Sequence, residues 1–170
     1  MPPTVERLPD AVLSVSVTTR AARPGEIDGV HYHFVDDAAF DAMIAGDELL
    51  EWAHVHRHRS GTPRGWVEER LRAGQAVVLE IDVQGALQVR ERDPDAFLVF
   101  LAPPSKEELA RRLVDRGTEA DDERAVRLAD ADAELAAARR FDAVVVNDRV
   151  EDCVERLVDV IDEERTRRQP

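Results

Sequence analysis

Short apolar runs alternate with amphipathic helical patterns along most of the chain. Four of these runs have the length and the flanking turn or charged residues of buried strands, namely Val12–Val17, Ala76–Ile81, Ala96–Ala102 and Ala143–Val146. Strands that alternate with helices are joined by crossover connections, which build a parallel sheet covered on both faces. The pattern therefore predicts an α/β fold.

Helical spacing of apolar positions predicts the connecting elements. The segment Arg64–Ala73 stops before Gly74, a residue suited to a helix C-terminus, and Ser105 is suited to cap the start of another helix. The segments Ala120–Arg140 and Val150–Arg168 are rich in helix-forming residues and predict two longer helices.

The stretch Glu26–Ser60 departs from this pattern. Apolar residues alternate at Val30, Tyr32 and Phe34, and a helix-like segment follows at Asp37–Met43. An alternating strand beside a helix predicts a small α+β lobe inserted into the core.

Composition narrows the class of protein. The chain has 170 residues, which suits one domain, and 23 basic against 36 acidic residues give a net charge of −13. This charge disfavours nucleic acids and anionic membranes as partners, because most of the surface would repel them. No apolar run approaches the ~18 residues of a membrane span. The lone Cys153 cannot form an internal disulfide, and the first residues do not have a signal-peptide pattern, so a cytoplasmic protein is expected.

Two arginines, Arg20 and Arg23, stand at a strand end beside the turn Pro24-Gly25. Paired guanidinium groups can hold a phosphate through two-pronged hydrogen bonds. The alternative is that both are ordinary surface charges.

Acidic residues follow the run Ala76–Ile81. Glu80 and Asp82 stand where a parallel strand ends, which is the edge at which α/β proteins bind ligands. The alternative for Asp82 is capping of the next helix.

A third group consists of Arg112, Arg116 and Arg127 around Gly117. Three arginines beside a glycine hinge could close over a polyphosphate. A solvated helix face, paired with nearby acidic residues, explains them nearly as well.

Together these pieces resemble the guanylate kinase family, whose members phosphorylate GMP with ATP. The stretches that match are S-V-T-T-R-x-x-R-x-G-E-x-x-G-x-x-Y-x-F from Ser16, E-W from Glu51, S-G-T from Ser60, E-I-D-x-Q-G from Glu80, A-P-P-S from Ala102, R-L-x-x-R-G-T-E from Arg112 and V-N-D from Val146. They occur in the family's order between Leu13 and Ile161.

The resemblance implies how GMP is bound. The residues that match the phosphate-binding positions are Ser16, Arg20, Arg23 and Tyr32, with Glu26 supporting the arginines. The residues that match the guanine-binding positions are Glu51, Thr62 and Asp82. Carboxylates accept from the N1–H and 2-amino groups that adenine lacks, so the wrong base leaves them unpaired.

The resemblance also implies the ATP side and the layout of the domain. Arg112 and Arg116, with Arg127 beside them, match lid residues that neutralise the transferring phosphoryl group, while Glu80 matches a position near Mg²⁺ and Asn147 one near adenine. A metal site formed by protein residues alone is not expected. The implied layout is one domain, 1–170, with a core at 1–25 and 76–170, a GMP-binding lobe at about 26–75 and a lid at about 110–128.

Two departures from the family pattern stand out. Ser60 replaces a tyrosine, so a contact to the GMP phosphate is lost or replaced by a shorter one. The family's phosphate-binding loop, G-x-x-x-x-G-K-[ST], is absent from the 170 residues. Either the chain start is placed downstream of the true one, which we favour, or the protein has lost phosphoryl transfer. The chain as printed is expected to lack turnover.

Two functions remain open at this point. The first is a guanylate kinase that takes Mg²⁺·ATP and GMP as its substrates. The second is a non-catalytic module of the same fold that binds GMP or a protein. The alternating His54, His56 and His58 could share one strand face as metal ligands, but they are expected in an exposed loop. Cys153 is expected to be a core thiol rather than a nucleophile.

Overall fold

The computed structural model describes residues 3–55, 57–105, 108 and 136–168. By contacts within the chain, it divides into two compact units, Met1–Ala96 and Phe97–Pro170. The candidate GMP-binding residues all lie in the first unit. The boundaries of core, lobe and lid given above remain predictions.

Parallel strand pairing, as the sequence predicts, occurs in both units. In the first, the short helix α1 (Pro3–Glu6) leads to β1 (Ala11–Leu13), which pairs in parallel with β6 (Ala76–Val78). In the second, β7 (Val99–Ala102) pairs in parallel with β8 (Ala143–Val146).

A four-stranded sheet lies between β1 and β6 along the chain. Its strands are β2 (Val17–Thr18), β3 (His33–Phe34), β4 (Leu49–Val55) and β5 (His58–Pro63), in the spatial order β3-β2-β5-β4. Strands β4 and β5 form an antiparallel hairpin, β2 is antiparallel to β5, and β3 is parallel to β2. This sheet and the helix that covers it, here called the lobe, include strands and a helix from the stretch Glu26–Ser60 for which the sequence predicts an α+β lobe, and they also include β2, which lies outside that stretch.

The single strand predicted over Val12–Val17 is wrong. Ser14 still donates its N–H to Val78 O at 3.0 Å, but pairing with β6 ends there. Val17 and Thr18 pair instead with Gly61 and Ser60 of β5. Hydrophobicity alone did not show this change of sheet, because both halves of the run are apolar and buried or half-buried.

Helix α2 (Asp37–Ala45) covers this sheet. It begins at Asp36, whose carboxylate accepts from Ala39 N at 2.8 Å, and it buries Phe40 completely. Phe40 packs with Val17 and Leu49 in the core of the lobe.

Two further helices complete the first unit. Helix α3 (Arg64–Arg72) ends at Ala73, just before Gly74, as predicted. Helix α4 (Val83–Arg92) packs on β4, where the Gln88 amide donates to Trp52 O at 2.7 Å and accepts from Trp52 N at 3.2 Å. The carboxyl end of β6 thus leads through Glu80 and Asp82 into a helix that is fixed to the lobe.

In the second unit, helix α5 (Val150–Arg168) has the predicted bounds and buries Cys153. Ser105 Oγ accepts from Glu108 N at 3.1 Å, as a helix cap would. Of the predicted helix Ala120–Arg140, only the end is described, and it finishes in a 3₁₀ turn at Ala138–Arg140. Within the described ranges, no helix is long and apolar enough to cross a membrane.

Candidate functional site

Glu51 occupies a position in β4 where the sequence pattern calls for an apolar residue. Along this strand Leu49, Glu51 and Ala53 are buried, and Glu51 is only 3% exposed. Its cross-strand neighbour is Thr62 of β5, which is 1% exposed and donates its hydroxyl to Glu51 Oε1 at 2.7 Å. A carboxyl group held in this way is costly for folding, which favours a role in binding.

The protonation of Glu51 reflects this environment. Burial raises the pKa of Glu51 to about 7, hydrogen bonds from Thr62 oppose the rise, and the nearby charge of Asp82 adds to it. Perturbed carboxyl groups of this kind concentrate at functional sites. The group can therefore gain or lose its proton near neutral pH.

Asp82 caps helix α4, so the capping role that the sequence offered as an alternative for this residue is confirmed. Its Oδ1 accepts from Gly85 N at 2.7 Å. In the described part of the chain, Oδ2 makes no hydrogen bond. One carboxylate oxygen thus anchors the helix, while the other is available to a ligand, and the same side chain can serve both purposes.

Arg20 and Glu26 form a two-pronged ion pair near the end of β2. The Arg20 guanidinium donates to Glu26 Oε1 at 2.8 Å and to Oε2 at 2.9 Å, and Arg23 N also donates to Oε2 at 2.6 Å. The bond from Arg20 lowers the pKa of Glu26 to about 2, and the bond from Arg23 contributes. Glu26 therefore orients the Arg20 side chain and the backbone at Arg23 together.

A tight turn brings Glu26 back beneath the arginines. Glu26 N donates to Arg23 O at 3.0 Å across Pro24 and Gly25. Gly25 has a φ of +89°, which side chains rarely adopt and which suits the third residue of such a turn. The Pro-Gly pair is thus the local reason why the carboxylate reaches Arg20.

Aromatic rings lie next to the Arg20 guanidinium. Its central carbon lies 5.4 Å from the ring centre of Tyr32 and 5.8 Å from that of Phe34. These contacts place Tyr32 beside Arg20. Arg23 is exposed and, within the described ranges, its guanidinium makes no ion pair, so it can approach an incoming anion.

Ser16 and Ser60 flank β2. Ser16 O accepts from His33 N at 2.8 Å, and Ser60 Oγ donates to Val17 O at 3.3 Å. The Ser60 hydroxyl is thus directed to the backbone, although a bond of that length is weak.

The other candidates are placed less fully. Arg112, Arg116 and Arg127 lie outside the described residues. Glu80 is exposed in the link from β6 to α4, and Asn147, which donates its N–H to Ala102 O at 2.7 Å, belongs to the second unit.

Two side observations concern the histidines and the cysteine. His54 and His58 lie in the exposed end of the β4–β5 hairpin rather than in a loop, and His56 is outside the described residues. Where the structure describes the chain, no cluster of metal-binding side chains occurs. Cys153 is buried, and burial raises the pKa of its thiol, as suits a core residue.

Sequence reasoning missed two residues that shape the site. Gly85 lies against the Glu51 carboxyl, and Gln88 ties α4 to the backbone of Trp52. The available signal was Gly85 itself: a glycine in the first turn of a helix is unfavourable unless a neighbour comes too close for a side chain.

Comparisons with known proteins agree with this geometry. The model of the family described as "Guanylate kinase" matches residues 6–164. A protein named guanylate kinase from Thermobifida fusca (strain YX) is 57% identical over 155 residues, which are 91% of this chain and 79% of that protein. One from Leifsonia xyli subsp. xyli (strain CTCB07) is 55% identical over 157 residues, and the chain spans only 62% of its length.

A solved structure also matches. The crystal structure of guanylate kinase from Anaplasma phagocytophilum superposes with a TM-score of 0.80 at 36% sequence identity. The match covers 96% of this chain and 81% of that one. The α/β architecture described above is therefore the architecture of that structure.

Proposed function

The chain belongs to the guanylate kinase family, and from that premise we propose that it serves the transfer of the ATP γ-phosphoryl group to GMP. An oxygen of the GMP phosphate attacks the γ-phosphorus, the bond to the β-phosphate oxygen breaks, and GDP and ADP result. This places the protein in purine nucleotide metabolism, and the sequence favours the cytoplasm. The proposal is supported by relatives that bear the name of the enzyme.

One observation carries the acceptor side of this proposal: the buried Glu51, bonded to Thr62 and close to Asp82. Guanine presents two donors, N1–H and the 2-amino group, on one edge. The two carboxyl groups would accept from these donors, with Thr62 holding Glu51 in place. Adenine presents an acceptor at N1, so it would leave buried carboxyl oxygens without partners.

The arginine cluster would hold the GMP phosphate. Arg23 is exposed and is not ion-paired with any residue that the structure describes, and Arg20 is oriented by Glu26 and flanked by Tyr32. Charged hydrogen bonds to phosphate are stronger than neutral ones and fix its position. Ser16 and Ser60 would complete the contacts. Positioning of this kind supplies much of the rate in phosphoryl transfer.

The donor side rests on family membership. Members would take ATP with Mg²⁺, and the exposed carboxylate of Glu80 is the type of oxygen ligand that Mg²⁺ prefers. Mg²⁺, when bound, neutralises charge on the phosphates. Asn147 near adenine and Arg112, Arg116 and Arg127 at the transferring group remain proposals. The family's glycine-rich loop is not among the 170 residues.

The second function considered above, a non-catalytic binding module, would use the same GMP site. The two relatives and the solved structure described above all bear the name guanylate kinase, and this similarity does not favour the non-catalytic module.

Calorimetric titrations with GMP, IMP and AMP test the proposal. IMP keeps the N1–H of guanine but lacks the 2-amino group, whereas AMP lacks both donors. The expected order of affinity is GMP, then IMP, then AMP, with at least about tenfold between the first and the last. Equal affinities for GMP and AMP would contradict the proposed function.

A further inference from the structure

The Glu51 carboxyl and helix α4 approach each other more closely than any side chain at position 85 would permit. A methyl group added to Gly85 would lie 2.9 Å from Cδ of Glu51 and closer still to Oε2. Real Cβ atoms essentially never come within 3.0 Å of another heavy atom in this way. The Glu51 carboxyl therefore occupies the space that a side chain at position 85 would need.

Helix α4 cannot readily withdraw to relieve such a clash. One residue beyond Glu51, both backbone groups of Trp52 are bonded to the Gln88 amide of this helix. At its first turn, Gly85 N is bonded to Asp82 Oδ1 at 2.7 Å. This capping bond lies within α4 itself, so the two Gln88 bonds to Trp52 are what hold the helix on β4, and it is the Glu51 side chain that would have to move.

Glu51 has little room for a small adjustment. Its Oε1 is bonded to the Thr62 hydroxyl, and both residues are almost fully buried. A rotation of the carboxyl away from α4 would break this bond and leave a buried polar group unpaired. A methyl group on Gly85 would also lie 3.4 Å from Asp82 Oδ1, so both carboxyl groups border the same space.

We propose that Gly85 is a positioning residue for base recognition: it lets the Glu51 carboxyl lie between Thr62 and the start of α4, next to Asp82. The inference rests on the proposed function of Glu51 and Asp82. Specificity for guanine would thus depend partly on Gly85, which has no side chain and acts through Glu51 rather than on the base itself.

Gly85→Ala tests this, with Gly65→Ala as the matched control. Gly65 lies in the first turn of α3, and a methyl group there would meet nothing within 4 Å. Alanine is the better helix former, so Gly65→Ala should keep or raise the urea midpoint of unfolding and leave GMP affinity unchanged. Gly85→Ala should lower the midpoint despite the same gain in helix propensity. It should also weaken GMP by at least about tenfold and reduce the preference for GMP over AMP.

A double-mutant cycle shows whether the effect passes through Glu51. Glu51→Asp shortens the side chain by one methylene and withdraws its carboxyl from α4. In the Glu51→Asp background, Gly85→Ala should therefore cost little in either midpoint or GMP affinity, because the space is already free. The same loss in both backgrounds would overturn the inference.

The unfolding measurements contain no nucleotide, so they test the contact independently of the proposed function. If Gly85→Ala alone yields no folded protein, the double variant must fold, and its failure to fold would also overturn the inference. A coupled loss of stability with an unchanged GMP to AMP preference would refute the positioning role. If wild-type protein does not bind GMP at all, the proposed function fails, whatever the cycle shows.

Discussion

At the scale of single residues, the candidate site contains polar groups at positions where apolar residues would make the fold more stable. Glu51 stands between Leu49 and Ala53 in the inward-facing pattern of β4. Burying a carboxyl group costs several kcal/mol unless it is paired or protonated. Thr62 offsets part of this cost, and the raised pKa of Glu51 offsets more. A carboxyl group at position 51 therefore lowers the stability of the fold, which supports its proposed role in binding.

The pH dependence of stability follows from Glu51. Its pKa is about 7 in the folded chain, against an ordinary value of 4.5, so the folded state holds this proton more strongly. The resulting stability is present below about pH 4.5 and is lost as the pH rises through about 7. The difference between these two pKa values corresponds to about 3 kcal/mol in the free energy of unfolding.

Glu51→Gln should remove this dependence, because an amide stays neutral. Between pH 4.5 and 8, the wild type should lose about 2–3 kcal/mol of unfolding free energy relative to the variant, as measured by urea titration. Parallel curves for the two proteins would mean that Glu51 titrates normally when folded.

The two arginines should differ in what their loss costs. Arg23→Ala removes one cation that can reach the phosphate, whereas Arg20→Ala also leaves Glu26 as an unpaired anion beside it. Both variants should weaken GMP and leave guanosine, which has no phosphate, almost unaffected. Arg20→Ala should weaken GMP binding more than Arg23→Ala does. Adding Glu26→Gln to Arg20→Ala should partly restore GMP affinity. Calorimetry checks this, and an equal loss of guanosine affinity would make the arginines structural.

At the scale of elements, the position of α4 on β4 sets the spacing of Glu51 and Asp82, the two carboxyl groups that we propose bind guanine. Gln88 provides both hydrogen bonds to Trp52. Gln88→Leu keeps the size of the side chain but leaves two partly buried backbone groups unpaired. The free energy of unfolding should fall by about 2–3 kcal/mol, as measured by urea titration.

Gln84 provides the matched control, since it is exposed on the first turn of the same helix. Gln84→Leu should change stability by no more than about 0.5 kcal/mol. Similar losses in both variants would show that the Gln88 bonds do not hold α4 in place.

Elements with long, regular patterns could be predicted closely from the sequence. Helix α5 has the expected bounds, Val150–Arg168, and β8 has those of its apolar run. The run Val12–Val17 could not, because its division between two sheets depends on pairing with Ser60 and Gly61, more than forty positions away. Periodicity records which side chains are buried but not which strand they lie beside.

At the scale of the whole molecule, the candidate acceptor residues could be proposed from the sequence because they occur in short motifs of recognisable order. Composition alone indicated one domain and little more. The motifs indicated Glu51, Thr62 and Asp82 together, although 31 positions separate the first from the last. Gly85 was not assigned a role, since a contact that depends on an absent side chain has no signature other than an unfavourable glycine in a helix.

Recognition of guanine by the buried Glu51 and the half-buried Asp82 is the central claim. The ratio of AMP to GMP dissociation constants in wild type and Asp82→Asn tests it most directly. Asparagine caps helices about as well as aspartate, so the fold should be kept. Its amide can present a donor where guanine requires an acceptor. By calorimetry, the wild-type ratio should be at least about ten, and the variant ratio should fall towards one. A wild-type ratio of one, or a ratio that Asp82→Asn leaves unchanged, would contradict the claim.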